Sequence, residues 1–152
     1  MIIYLGANVV SPVSLEAKAT IQTALESKST IEIEVHTLSS EYQKPTRLYA
    51  LQNSGITYDF IDLDDVLDYT TASDITFTVW ETVASGSTEV ISVNLAGKVS
   101  APDTNAIQVV LEDGDLNLPT GAYWWELWAI ISSDNKVVGR GDFMLQGTRN
   151  FD

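Results

Sequence analysis

The sequence predicts an all-β sandwich, and three observations predict it. Apolar and polar side chains alternate over most of the chain, which is the period of strands with one buried face. Turn-forming clusters separate the alternating runs at intervals of about 8–14 residues, the rhythm of a sandwich rather than of a barrel or an α/β fold. Apolar residues make up 45% of the 152, and a chain of that size buries roughly two-thirds of its unfolded surface without covalent staples.

The first alternating run is 15–25. Leu15, Ala17, Ala19, Ile21, Thr23 and Leu25 share one strand face, against Glu16, Lys18, Thr20, Gln22 and Glu26. A helix starting at Ser11-Pro12 would scatter Leu15 and Ala19 away from Ala17, Ile21 and Leu25, so a strand is favoured. After the polar turn Glu26–Ser29, Ile31, Ile33 and Val35 alternate with Glu32, Glu34 and His36, and the two runs read as a hairpin. Ser39–Thr46, with Pro45, reads as a loop. Arg47–Gln52 and Ile56–Leu63 read as a second pair around Asn53-Ser54-Gly55, residues that tolerate positive φ.

In the second half, Ile75, Phe77 and Val79 face away from Thr76, Thr78 and Trp80. Glu89–Leu95 sets Ile91, Val93 and Leu95 against Val90, Ser92 and Asn94, and Ile107, Val109 and Leu111 follow. A turn through Glu112–Asp115 and the string Leu118-Pro119-Thr120-Gly121 precede a long strand at 122–131. Ser132–Lys136 then closes a hairpin into Val137–Leu145. With Tyr123, Trp125, Leu127, Ala129 and Ile131 inward, pairing Ile131 with Val137 sets Leu127 opposite Gly141 and Trp125 opposite Phe143. Large meets small and ring meets ring. The same register sets Trp128 opposite Arg140, within reach of cation–π stacking, and leaves the like charges Glu126 and Asp142 adjacent.

The hairpin and its approach resemble the immunoglobulin-like domains of phage tail and baseplate proteins, notably the N-terminal domain of the baseplate upper protein family. The resemblance lies in an acid-opened strand, Asp74-Ile75-Thr76-Phe77-Thr78-Val79, a strand ending near Leu111, and Leu118-Pro119-x-Gly121-x-Tyr123-x-x-Glu126-Leu127. The turn Ser133-Asp134-Asn135-Lys136-Val137 and the strand Gly141-Asp142-Phe143-Met144-Leu145 complete it, over residues 56–147. Those family members continue into further domains, whereas this chain stops at Asp152. The resemblance implies an immunoglobulin-like antiparallel β-sandwich and a place in a virion. The expected organisation is a β-rich N-terminal extension at 1–55, packing on the sandwich or on a neighbouring subunit, the sandwich at 56–147 and a tail at 148–152. The stretch 63–74 and the loop 39–46 are the places where two parts would divide.

Charge narrows the function classes. With 8 Lys+Arg against 21 Asp+Glu the net charge is -13; nucleic-acid affinity rests on cationic side chains releasing counterions, so that partner class is excluded. The charge keeps a β-rich chain soluble or meets a basic partner. No cysteine is present, so there is neither a disulfide nor a thiolate metal site. The start, MIIYLGANVV, lacks the basic residues of a signal peptide and is too short to span a bilayer. A soluble, unexported product without membrane insertion is expected.

Catalysis finds no footing. The single histidine, His36, lies on the polar face beside Glu32 and Glu34, without the nucleophile and positioned partner that general-base chemistry needs. Among 21 acids, carboxylate pairs at glycosidase spacing arise by chance. Asp113-Gly114-Asp115-Leu116-Asn117 begins like a calcium loop, but Leu118 replaces the turn glycine and Trp124 the bidentate glutamate. The cluster Asp59, Asp62, Asp64, Asp65, Asp68 alternates with Phe60, Ile61 and Leu63, so some of its carboxylates point apart. Asp62, Asp64 and Asp65 are the candidates for a structural calcium, and ordinary acidic turns are the simpler account. Arg140-Gly141-Asp142 falls within a strand rather than at a loop tip, and Leu118-Pro119-Thr120-Gly121 lacks the spacer of a sortase signal. No cofactor is implied.

Aromatic residues on polar faces carry the interaction signal. Trp80, Trp124 and Trp128 fall where alternation otherwise places polar groups, with Val110, Arg140 and Met144 nearby. Three readings account for them: a cover formed by the N-terminal segment, a subunit interface, where tryptophan is enriched as an anchor, or a platform on which indoles stack against sugars. The expectation is a non-enzymatic phage structural protein of the baseplate, tail, head fibre or decoration layer. It would assemble in the host cytoplasm as a homo-oligomer, docking to other virion proteins and, in the third reading, to a host surface glycan. A carbohydrate-binding module is the alternative.

Overall fold

Alternation sends one set of side chains from each long strand into a shared interior. The computed structural model describes residues 3–4, 30–37 and 45–147. Its strands are β1 (Ile3–Tyr4), β2 (Thr30–Val35), β3 (Leu48–Leu51), β4 (Ile56–Asp62), β5 (Asp74–Trp80), β6 (Glu89–Asn94), β7 (Val99–Asp103), β8 (Ala106–Leu111), β9 (Gly121–Ile131) and β10 (Asp134–Gln146). They form two five-stranded sheets, β1-β2-β4-β8-β7 and β3-β10-β9-β5-β6. The chain is an all-β two-sheet sandwich; β5, β6, β8 and β9 lie within one residue of their expected bounds, whereas β10 begins three residues before the expected Val137.

The pairing departs from a purely antiparallel sandwich. β1 and β4 both run parallel to β2, and β3 runs parallel to β10. The boundary expected at residue 55 does not mark a break in packing. Ile31, Ile33 and Val35 of β2 and Leu48 and Leu51 of β3 belong to the same buried core as Phe60, Phe77 and Trp125. Part of the expected extension is therefore built into both sheets. The predicted strand 15–25 lies outside the described residues, as do 39–44 and the tail 148–152; among the described residues β2 pairs only with β1 and β4. The stretch 63–74 is no linker either: it forms a 3₁₀ turn, Tyr69–Thr71, capped by the Asp68 side chain, with Tyr69 buried.

The expected pair of 47–52 with 56–63 is split between the sheets. All four residues of β3 are buried, so the segment lacks a solvent face and sits along β10 rather than in a meander. Asn53, at φ 55, turns the chain toward the other sheet. Gln52 Nε2 donates to the Leu118 carbonyl at 2.7 Å and Asn53 N–H to the Leu116 carbonyl at 3.1 Å. β7 was not legible in the sequence, because only Val99 is buried and Pro102 interrupts the edge strand's pairing.

The final hairpin keeps the predicted inner face but not the predicted register. Its turn is two residues long, Ser132 and Ser133, both at positive φ (53 and 68), the conformation that matches strand twist in a tight hairpin. Val137 pairs with Trp128 on the outer face, a bulge at Val138 follows, and Gly139 pairs with Leu127. Val138 rather than Val137 is thereby buried. Beyond the bulge Arg140 stands opposite Glu126, Gly141 opposite Trp125 and Phe143 opposite Tyr123. The expected Trp128–Arg140 and Glu126–Asp142 neighbours do not occur, and the like-charge conflict disappears with them. Tyr123 Oη donates to the Pro119 carbonyl at 2.5 Å, bracing the entry to β9 in the manner of a tyrosine corner.

The core centres on Trp125. Its ring centroid lies 5.4 Å from Phe60 across the sandwich and 5.8 Å from Phe77 in its own sheet. Its indole N–H donates to the Thr46 carbonyl at 2.7 Å. A Cβ at Gly139 would stand 2.7 Å from Trp125 Cη2, and one at Gly141 only 2.1 Å from the Thr46 oxygen. Both glycines are therefore steric requirements. Gly141→Ala is expected to lower unfolding free energy by about 1–3 kcal/mol or more, read from urea midpoints. Gly97→Ala, where an added methyl meets nothing within 4 Å, should leave the midpoint in place.

Candidate interaction face of the second sheet

With Trp125, Leu127 and Ala129 inward, the pleat turns Trp124, Glu126 and Trp128 to the outer face of the second sheet. Register then fixes what surrounds them. Trp128 lies between Thr76 of β5 and Val137 of β10, Glu126 between Thr78 and Arg140, and Trp124 between Trp80 and Asp142. Met144 follows on β10, between Ala122 and Tyr49. The five residues singled out in the sequence, Trp80, Trp124, Trp128, Arg140 and Met144, thus share one face. The three tryptophans and Met144 are half-buried and Arg140 is exposed.

The organising residue of this face was missed in the sequence. Trp124 Nε1 donates to Glu126 Oε1 at 3.2 Å, and Trp128 Nε1 donates to Glu126 Oε2 at 3.1 Å. One carboxylate therefore holds two indoles from the same strand. The spacing Trp-x-Glu-x-Trp was the available signal, since a period of two places all three side chains on one face. Arg140, directly opposite Glu126, forms no ion pair among the described residues, while Arg47 pairs with Asp142 at 3.1 Å. Val110, expected nearby, belongs to β8 of the other sheet.

The outer face of the first sheet has a different chemistry. The parallel register sets Glu32 beside Asp59, and Gln108 Nε2 donates to Asp59 Oδ1 at 2.8 Å. Partial burial raises the Glu32 pKa, and the charges of Asp59 and Glu34 add to the shift.

Asp62, Asp64, Asp113 and Asp115 are committed to protein partners. Asp62, 1% exposed, accepts from Tyr69 Oη at 2.6 Å, from the Thr37 hydroxyl, from Thr37 N–H at 3.4 Å and from Asp64 N–H at 3.1 Å. Asp64 Oδ1 lies within hydrogen-bond distance of His36 Nδ1, at 2.9 Å. Asp65 is exposed at φ 47. The three do not converge as a ligand set. In the calcium-like loop, Asp113 Oδ1 accepts from Gly55 N–H at 2.6 Å, and Asp115 binds Lys98 at 2.6 Å and Glu112 N–H at 2.8 Å. Among the described residues no three His, Cys, Asp or Glu side chains form a group able to hold a metal ion.

Comparison with known proteins adds fold likeness only. No protein-family model matches the chain, and no curated protein matches it in sequence. Among solved structures it is distantly similar to CopC from Methylosinus trichosporium OB3b, at 14% identity over 51% of this chain and 67% of that one, TM-score 0.32. It is likewise similar to murine CRIg, at 11% identity over 68% of this chain and 92% of that one, TM-score 0.33.

The buried tyrosines give the fold an alkaline limit. Burial raises the Tyr69 pKa far above 10.0, reinforced by its hydrogen bond to Asp62, and burial raises that of Tyr58 likewise. Above pH of about 10 the unfolded chain releases these protons while the native state keeps them. Fewer protons are then bound by the unfolded state, so stability, full below that pH, falls as pH rises further. The expected slope is up to about 1.4 kcal/mol per pH unit for each tyrosine. Denaturation midpoints between pH of about 9 and 11 should fall less steeply in Tyr58→Phe/Tyr69→Phe than in the parent chain; equal slopes would contradict the assignment.

Proposed function

We propose that the chain is a non-enzymatic structural protein of a bacteriophage virion, a component of baseplate, tail, head fibre or decoration layer. It self-associates and docks to other virion proteins through the outer face of its second sheet. The observation that carries this reading is the presence of Trp80, Trp124, Trp128, Met144 and Arg140 on one outer face, Arg140 forming no ion pair among the described residues. Tryptophan and arginine are the side chains that dominate binding energy at protein interfaces. The resemblance of 56–147 to phage baseplate domains supports the virion setting, and with it assembly in the host cytoplasm. The acidic remainder, at net charge -13, keeps the free subunit soluble until its contact face is covered.

The division of labour between the two sheets agrees with this reading. Glu32, Glu34 and Asp59 stand on the outer face of the first sheet with no indole beside them, whereas the second sheet sets three indoles and a guanidinium among its carboxylates Asp74, Glu126 and Asp142. An interface anchored there buries the indoles of both partners and gives Arg140 a carboxylate to meet.

Size-exclusion chromatography with light scattering tests it. The full chain is expected to run as a stable oligomer, a trimer or a hexamer, at micromolar concentration. Trp124→Ala should weaken association by about 2 kcal/mol or more without changing the β-sheet circular dichroism. A parent chain that stays monomeric at about 100 μM, an affinity worth only about −5 kcal/mol, would remove the self-association half of the reading.

A further inference from the structure

Next to Trp128 the outer face of the second sheet dips. Asp74, Thr76, Trp128, Ile130 and Asn135 line a depression of about 310 Å³ at the end where β9 turns into β10. Its parts are held before any ligand arrives. The Trp128 indole is anchored to Glu126 at 3.1 Å. The Asp74 carboxylate is fixed by Ile75 N–H at 2.9 Å and by the Thr76 hydroxyl at 3.2 Å, leaving lone pairs to spare. Asn135, exposed beside the turn, adds an amide with both donors and an acceptor.

We propose that this depression binds one neutral hexopyranose unit of a surface glycan. The apolar C–H face of a sugar ring packs on the Trp128 indole and Ile130, and its hydroxyls donate to Asp74 and exchange hydrogen bonds with Asn135 and Thr76. The volume lies at the lower end of ligand cavities, about 300–1,000 Å³, which suits one ring rather than a nucleotide or an extended oligosaccharide. The lining holds a carboxylate and no lysine or arginine, so phosphorylated and sialylated sugars are repelled. The site goes beyond the assembly reading and shares only Trp128 with that face, whose Trp80–Trp124 pair lies four residues away along β9, about 13 Å by strand rise; the dissociated Trp124→Ala chain is therefore expected to bind the sugar at least as well as the parent.

The test is an NMR titration of the ¹⁵N-labelled full chain with methyl β-D-galactopyranoside, methyl β-D-glucopyranoside and methyl α-D-mannopyranoside. A saturable shift of the Trp128 indole N–H, with Kd on the order of 1–10 mM, is expected for at least one of them. Asn135→Ala, at an exposed position, and the near-isosteric Asp74→Asn should each weaken that binding about five- to tenfold. Gly97→Ala, at a position where an added methyl meets nothing within 4 Å, should leave it unchanged, and N-acetylneuraminic acid should bind at least about tenfold more weakly. Absence of a shift with all three neutral glycosides up to about 50 mM, in the parent and in the dissociated Trp124→Ala chain alike, overturns the proposal. So does a shift that neither Asn135→Ala nor Asp74→Asn affects. Sugar binding that persists in a Trp124→Ala chain that no longer associates separates this site from the assembly face, and loss of sugar binding alone leaves assembly standing.

Discussion

Everything in the sandwich is arranged around the seat of one indole. Trp125 fills the space between the sheets, and the two glycines that pass it on β10 make that possible: Gly139 clears its ring and Gly141 lets the backbone at Thr46 come close. The Thr46 carbonyl then accepts the indole N–H, and Thr46 N–H donates to the Arg140 carbonyl at 2.9 Å. Three segments far apart in sequence are locked at one point, and β3 is delivered to the edge of β10 in parallel register. A buried tryptophan needs a partner for its N–H, and here that need also decides where β3 goes.

Two further polar contacts tie the layers together. Tyr58, on β4, donates to the Tyr49 carbonyl on β3 at 2.5 Å across the sandwich. Asp62, at the end of the same strand, collects Thr37, Tyr69 and Asp64 N–H. A buried carboxylate is costly unless several donors meet it, and the four here bring together the end of β2, the end of β4 and the 3₁₀ turn. Chemistry that looked like a metal cluster in one dimension is a structural clasp in three.

The two outer faces show how one period can produce opposite surfaces. On β2 and β4 the outward positions include Glu32, Glu34 and Asp59, and the parallel register sets Glu32 beside Asp59. On β5, β9 and β10 the outward positions include three indoles, and the Glu126 carboxylate anchors two of them, Trp124 and Trp128. Glu126 limits the freedom of both rings, so a partner meeting this face loses little side-chain entropy in ordering them. The same anchoring gives the proposed sugar site a wall of fixed orientation.

How much of this was legible follows from the range of each interaction. The period of two assigned Trp125 and Leu127 to the core and Trp124 and Trp128 to the surface, because that sorting is a property of each strand alone. It also placed Trp80, Arg140 and Met144 on the side where they are found. What alternation cannot encode is which strands become neighbours. The parallel pairings of β2 and β3, the transfer of the chain from one sheet to the other at Asn53, and the union of Asp62 with Thr37 and Tyr69 join residues distant in sequence. Even inside the final hairpin, the Ser132–Ser133 turn moved the pairs next to it by three positions, and the Val138 bulge brought those beyond it to a shift of two, which preserves the faces that the pattern records. The sequence by itself determined the class of fold and the side on which each ring stands. Only the tertiary structure decided the neighbours, because pairing depends on non-local packing around Trp125 rather than on local preference.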